Sequence, residues 1–404
     1  MLLQKKIFFK GIVWRLAFYV SSLLLNIYLS NTLGASQTGL FFYLINNLSI
    51  AVQFLTMGLD MSLSYFNAKK EFKQSALTSI ALRWTVLTTA LFTLLFLLGL
   101  LFDFFSNQHN TLLVILFVFS SILTGLTTAL FVSSNQHVVP SIIPLLGNLF
   151  LITYLYLLNL NSHPDLLNQF IKAYFIASAL VCLSLFLILY VQSKPSINLW
   201  PLRLNKEIVT YSTNIFLFNM VVSLLLRGDI WLVRYMADNK DLGNYIQTGK
   251  IVQLILLLPN LASFTLLPLL TQQTSVHNDV KADVVKLSRI YFLVSLVLCC
   301  ALGLTGYWLF PFLFGQSFNK MYQAFMLLTP GILFFSASYP IDTFFSSINR
   351  NKVNIQAAFL ALSIMLVVDL VLIPRYSIYG AAMGSSVSFT FFYLYLWYQF
   401  KRAL

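Results

Sequence analysis

Residues 227–270 read RGDIWLVRYMADNKDLGNYIQTGKIVQLILLLPNLASFTLLPLL. Two apolar helices flank a short polar turn. The first carries Arg227, Asp229 and Arg234 near its end, and the second carries Lys250 inside its apolar run. A charge at membrane depth is expensive, so such residues face protein or water rather than lipid and mark a functional site. The rest of the chain reads as the scaffold around that site.

Composition sets the class. The 404 residues are 59% hydrophobic and 9% charged, against roughly 25% charged in soluble domains. The mean hydropathy is +0.82. A soluble core cannot absorb this much apolar surface, so the chain is a polytopic membrane protein. The net charge of +13 is spread one short loop at a time. That is a topology signal rather than a nucleic-acid footprint, and no nucleic-acid partner is expected. Cys182, Cys299 and Cys300 lie in apolar runs without ligand or disulfide spacing and read as small buried hydrophobes. The N-terminal MLLQKKIFFKGIVWRL has a basic start, but no A-x-A site follows its apolar stretch, so an uncleaved first span is expected.

A span needs about 20 mostly apolar residues. Twelve candidates follow in order: 11–33, 39–66, 77–102, 111–133, 138–160, 166–191, 208–236, 242–270, 286–310, 321–347, 352–374 and 378–400. The least hydrophobic connector, QSKPSINLWPLRLNKE (192–207), divides them six and six. This predicts an all-α integral membrane protein of two six-helix lobes, residues 1–197 and 198–404. Lys and Arg settle the expected orientation. The N-terminal side and even-numbered connectors hold eighteen, and the other side holds only Arg234, Lys240, Lys320 and Arg375. Both termini are therefore expected in the cytoplasm.

The halves resemble each other. LGASQTGLF (33–41) follows the first span and MADNKDLGNY (236–245) the seventh. Each turn ends in Gly with an aromatic two residues on: Gly39 and Phe41, Gly243 and Tyr245. FVSSNQH (131–137) and FSSINRN (345–351) end the fourth and tenth spans. Both halves start on one side, so the repeat is parallel, and such repeats place a substrate path between halves.

These patterns carry a family resemblance. RGDIWLVRYMADNKDLGNY resembles the seventh-span signature of bacterial polysaccharide flippases, an Asp-bearing helix and a turn ending in G-x-Y. Residues 313–354, LFGQSFNKMYQAFMLLTPGILFFSASYPIDTFFSSINRNKVN, are similar to the family's ninth-to-eleventh-span region. IPRYSIYGAAMGSSVS (373–388) is similar to the start of its last span. The family is the Wzx-like oligosaccharide flippases of the multidrug/oligosaccharidyl-lipid/polysaccharide exporter superfamily. The resemblance implies two MATE-like lobes around a cavity that opens alternately to each side. It also implies a polyprenyl-pyrophosphate-linked oligosaccharide as substrate, in the cell inner membrane, with a polysaccharide polymerase and a chain-length regulator as possible partners. Longer relatives have two more spans than this chain has room for.

Motifs for other chemistry are absent. There is no G-x-x-x-x-G-K-[ST], H-E-x-x-H, C-x-x-C or G-x-S-x-G. His109, His137, His163 and His277 fall in predicted loops, far apart, and no metal or cofactor is expected. Connectors on the outer side are short, which disfavours membrane glycosyltransferases and acyltransferases, expected by analogy to carry large outer loops.

Candidate residues follow from depth. Arg227 and Lys250, at matching depth on adjacent spans, are the expected pyrophosphate contacts: Arg for a bidentate contact, Lys as a point charge. The alternative is snorkelling to headgroups, which is the expectation for Arg234. Arg15 and Arg83 near cytoplasmic ends and Lys172 near an outer end are further substrate candidates, with interface anchoring as the alternative. Asp229 and Asp369 lie at similar distance from the outer surface of the second lobe. Two carboxylates there could bind Na⁺ or carry a proton, coupling transport to an ion gradient; the alternative is salt bridges to Arg227, Lys250 or Arg375. Asp60 and Asp342 are expected to cap helices or meet nearby bases. Span amides such as Asn148 are expected to bond between helices. Gly380 and Gly384 form a G-x-x-x-G packing motif. The function expected is a lipid-linked oligosaccharide flippase, not an enzyme. The alternatives are a multidrug exporter of the same superfamily, whose site for cations should be acidic, or a membrane transferase.

Overall fold

The apolar runs leave the backbone no partner but itself, and helices are the result. A computed structural model describes residues 2–101, 110–160, 165–195, 206–273, 277–348 and 350–402, with side chains except at 2–10, 12, 100, 101, 214, 261, 262, 264–273 and 277–280. No strand occurs among the described residues. The helices are α1 (Leu2–Thr56), α2 (Leu59–Ala68), α3 (Gln74–Leu101), α4 (Thr111–Ser133), α5 (Val139–Leu160), α6 (Leu166–Ser193) and α7 (Lys206–Arg227). They continue with α8 (Asp229–Met236), α9 (Asn239–Gln273), α10 (His277–Phe314), α11 (Met321–Ser347), α12 (Asn351–Tyr376) and α13 (Ile378–Arg402).

Helix α1 is two passages broken at Gly34, whose φ of 71° lies in the left-handed region that glycine tolerates. Only Gly228 separates α7 from α8, and its dihedrals stay helical (φ −69°, ψ −29°), so the two form one passage. Each of the twelve expected spans overlaps a described helix or part of one. Among the described residues, nine stretches are long and apolar enough to cross a membrane. One of them, Val13–Thr56, takes in most of the first expected span and the larger part of the second, whose remainder is α2. Helices α9 and α13 are not among the nine; both carry polar residues at their starts, NKDLGN and GAAMGSS. His277 begins α10 rather than lying in a loop, whereas His109 and His163 lie outside the described residues.

The helices gather into two units, 1–32 with 47–216, and 33–46 with 217–404. The expected division at 197/198 is not where the units part. Two segments explain the difference. The start of α7 belongs to the first unit: Tyr211 stacks on Tyr65 at 4.5 Å, and Ser62 donates to the Ile208 carbonyl at 3.2 Å. Residues 33–46 belong to the second unit through contacts described below. The connector 196–205 lies outside the described residues.

In the first unit α4 packs against α2, α3 and α6, and α6 also against α5. Lipid tails are as apolar as Leu, so small and polar contacts take over the work of association. Asn67 on α2 donates to Ser133 and Ser134 at 2.8 and 2.9 Å. Asn148 on α5 donates to Ser21 and Ser22 at 3.0 and 2.8 Å, the interhelical role expected for it. In the second unit α11 packs against α9, α10 and α13, and α13 also against α12. Here backbones meet at glycines. A Cβ on Gly331 would fall 2.5 Å from the Ser386 Cα, and the Gly331 amide donates to the Ser386 hydroxyl at 3.0 Å. Gly380 presses on the Leu372–Ile373 backbone, and Gly384 presses on the Asp369 carboxylate.

Gly331→Ala is expected to destabilise the detergent-solubilised protein by about 1–3 kcal/mol, because backbone cannot yield as a side chain does. Gly125, with nothing within 4 Å of its Cβ position, is the control. Gly125→Ala should leave the unfolding temperature unchanged or raise it, since Ala favours helix. Thermal unfolding of both variants reads the difference.

Candidate functional site

The glycine contacts between α12 and α13 fix where two acids sit. Asp229 opens α8 and is 3% exposed; Asp369 lies within α12 and is fully buried. Asp369 rests against Gly384, and the next residue, Ser385, donates to Asp229 Oδ2 at 2.7 Å. Tyr245 of α9 also donates to Asp229 Oδ2, and its oxygen lies 3.2 Å from the Ser385 hydroxyl. Met365 closes one side, its Sδ 3.9 Å from the Ser385 Oγ. Three buried oxygens then have no hydrogen-bond partner among the described residues: Asp229 Oδ1, Asp369 Oδ1 and Asp369 Oδ2. The salt bridges considered for these acids are not formed. Among the described residues the ion pairs are Lys69–Glu71 and Lys320–Asp241. An ionised carboxylate buried without a partner is very costly, so this arrangement calls for a proton or a bound cation. Among the described residues, no group of three or more His, Cys, Asp or Glu gathers to hold a metal, here or elsewhere.

One end of the same unit is tied by a polar clasp. Asp241 accepts from Lys320 Nζ at 2.5 Å and from Ser377 at 2.6 Å, linking α9 to the starts of α11 and α13. Asn244 donates to the Ser317 carbonyl at 3.1 Å and accepts from the Lys320 amide at 3.1 Å. Ser317 in turn accepts from the Ala35 amide at 3.0 Å. The two repeat glycines meet here. A Cβ on Gly39 would fall 2.7 Å from the Gly243 nitrogen, and Gly243 presses on the Ala35 carbonyl. This contact is what holds residues 33–46 in the second unit.

Each expected site residue has its own surroundings. Lys250 lies over the Phe42 ring. Arg234 lies 5.8 Å from the Tyr43 ring and donates to Asn239 Oδ1 at 2.8 Å, so it is held by protein contacts. Consecutive aromatics of the 33–46 segment thus receive two cations of the second half. Arg227 ends α7 half-buried, without a hydrogen bond or ion pair among the described residues. Arg15 and Lys172 are exposed, and Arg83 is half-buried on α3. Burial, with Arg15 second, holds the His137 imidazole below the ordinary histidine range. Asp60 lies in the first turn of α2 but does not cap it: the N-cap is Gly58, with no side-chain cap hydrogen bond. Asp342 forms no ion pair among the described residues, and its Oδ1 has no hydrogen-bond partner among them.

Tyr245 and Ser385 were not singled out by sequence reasoning as contacts of the acids. A signal existed. An offset of about 204 residues between the halves sets Tyr245 against Phe41 and Asp229 against Leu25. The second half adds a hydroxyl and a carboxylate where the first half is apolar.

With the geometry in place, comparison with known proteins assigns the chain. The family described as "Polysaccharide biosynthesis protein" matches residues 8–274. The chain belongs to this family. No curated protein matches it by sequence. Among solved structures, the chain is similar to the lipid II flippase MurJ in an inward closed conformation, with a TM-score of 0.76 at 14% identity, covering 99% of this chain and 88% of that one. It is also similar to an inward-facing multidrug resistance MATE family transporter of the MOP superfamily, with a TM-score of 0.76 at 12% identity, covering 96% and 94%. A MOP superfamily transporter from Pyrococcus furiosus gives 0.70 at 12%, covering 99% and 95%. The family member therefore has the MurJ/MATE fold, all-helical and multi-pass.

The clasp generates a prediction with a definite sign. The hydrogen bond from Lys320 to Asp241 holds the Lys320 ammonium above the ordinary lysine value of 10.5. A raised lysine contributes stability that is complete below its unfolded value and lost as pH rises through the folded one. Lys320→Met should therefore lower the unfolding temperature, by a few degrees at most, and by the same amount at about pH 6 and about pH 8. The gap should close only in strongly alkaline buffer.

Proposed function

We propose that this protein is a flippase that carries polyprenyl-pyrophosphate-linked oligosaccharide across the bacterial inner membrane by alternating access, supplying surface polysaccharide such as O-antigen or capsule. One observation carries the reading: a member of the polysaccharide biosynthesis family has the fold of a lipid II flippase along nearly its whole length. No bond is made or broken in this task, so the protein is not an enzyme. Both termini lie in the cytoplasm, in accord with the eighteen-to-four asymmetry of basic residues. A polymerase and a chain-length regulator receive the product outside.

The cations have the pyrophosphate as their task. Arg227 offers a bidentate donor pair, and Lys250 a point charge poised against an aromatic face. Arg15, Arg83 and Lys172 guide the headgroup toward and away from them. The lipid tail stays in the bilayer. Deletion is expected to remove surface polysaccharide and to accumulate the lipid-linked repeat unit, identified by mass. Complementation with Arg227→Ala or Lys250→Ala should restore surface polysaccharide only in part, at normal protein level. A fully active double alanine variant would remove both cations from the mechanism.

Coupling falls to Asp229 and Asp369. Their three unpartnered buried oxygens suit one Na⁺ or a proton, with Ser385 and Tyr245 steadying the remaining Asp229 oxygen. Occupancy neutralises the pocket, and this differential stability is what an ion gradient can act on. Asp229→Asn and Asp369→Asn are each expected to abolish gradient-driven transport in vesicles while leaving binding of lipid-linked substrate largely intact. Normal transport by either variant under an imposed gradient would assign that acid a structural role.

A second reading, export of cationic drugs, draws on the same buried acids and on the MATE fold. Unchanged sensitivity to cationic dyes in the deletion strain, together with accumulation of the lipid-linked intermediate, separates the two.

A further inference from the structure

Away from the buried acids, the second unit carries a basic cleft. It has a volume of about 540 Å³ and is lined by Lys281, Lys286 and Arg289 with Val285, Ile290 and Phe400. Among the described residues no acid lines it; Asp283, on the same helix, is exposed outside the lining. The cleft lies where the start of α10 meets the end of α13.

Its level in the bilayer follows from helix length. Phe314 and Ile378 end their helices on one side of the unit, because Lys320 and Ser377 both bind Asp241. From there a hydrocarbon thickness of about 30 Å takes about 20 residues at 1.5 Å each. Counting back along α10 reaches the neighbourhood of Val294, and counting forward along α13 reaches that of Tyr398. Arg289 and Lys286 therefore stand about one to two turns beyond the hydrocarbon, at headgroup level. The aromatic residues of α13 agree with this level: Trp397 stacks between Tyr393 and Phe400 at 6.0 Å each, as in an interfacial belt. Lys401 and Arg402 lie over Trp397 and Tyr398, at 5.5 and 4.7 Å, and do not line the cleft.

Below the cleft, Ile290, Leu293, Val294, Val297 and Leu304 form an exposed apolar stripe down one face of α10. A site with cations at headgroup level and an apolar track running from it into the hydrocarbon matches a phosphate joined to an acyl chain. Basic pockets between membrane helices bind anionic headgroups in this way. We propose that this cleft binds the phosphate of an anionic glycerophospholipid of the surrounding leaflet, with one acyl chain lying along α10. The site is separate from the buried acids and independent of the transported substrate.

The test uses the delipidated full-length protein in neutral detergent, titrated with phosphatidylglycerol or phosphatidylcholine and read by native mass spectrometry. The parent protein should retain phosphatidylglycerol well beyond phosphatidylcholine. Lys286→Gln/Arg289→Gln should weaken phosphatidylglycerol retention about thirtyfold, as loss of two headgroup-level cations implies. Lys69→Gln/Lys70→Gln, at the exposed turn after α2, should leave it unchanged. Arg289→Lys, which keeps the charge, should retain most of the binding, and an unchanged unfolding temperature shows that the glutamine variant is folded. Equal retention of the two lipids by the parent, or undiminished phosphatidylglycerol binding by the glutamine variant, overturns the proposal. So does displacement by inorganic phosphate at matching concentration, or by polyprenyl pyrophosphate at lower concentration, because the ligand would then be a free anion or the transported lipid.

Discussion

The second unit depends on a backbone contact between α12 and α13. Gly380 and Gly384 remove the side chains that would hold the two helices apart, and the Asp369 carboxylate lies against the Cα of Gly384 as a result. Ser385, one residue on, reaches Asp229 at 2.7 Å. Close packing and polar chemistry are thus one feature here. The glycines let the helices approach, and the approach buries one acid with both oxygens unpartnered beside another with one. In a medium without water, a carboxylate left ionised in such a pocket is very costly.

A second contact of the same kind ties the halves of the sequence together. Gly39 and Gly243 occupy equivalent turns of the repeat, and they pack on each other. Residues 33–46 are thereby held in the second unit, and their aromatics, Phe42 and Tyr43, take up Lys250 and Arg234. In exchange, the start of α7 packs in the first unit through Tyr211 and Ile208. Each unit therefore includes a stretch that chain order would give to the other. Strong local contacts decide membership, not the polar connector between the sixth and seventh spans.

Much of the fold was legible from residue order alone. Spans are long and apolar because the bilayer has a fixed thickness, so their number and approximate limits follow from composition along the chain. The two glycine turns were legible at Gly39 and Gly243, and both positions accept close backbone contact. The partners of the charges were not legible. Depth alone makes Arg227, Lys250 and Arg375 candidate partners of Asp229, and it is held by Tyr245 and Ser385 instead. Depth in a helix gives a residue's height but not the direction it faces, and ion pairing depends on both.

The sequence by itself determined that this is a helical membrane protein, which spans it has, where its buried charges lie in height, and which family it resembles. Each of these rests on a one-dimensional quantity: hydropathy, spacing or local pattern. The tertiary structure decided that Asp369 meets Gly384, that Ser385 and Tyr245 converge on Asp229, and that 33–46 docks with 217–404. It also decided that Lys286 and Arg289 share a cleft with Phe400. These depend on helix rotation and on which helices are neighbours. Apolar helices in lipid face no hydrophobic penalty for rotating, so rotation is set by the fit of small residues against a partner helix far away in sequence.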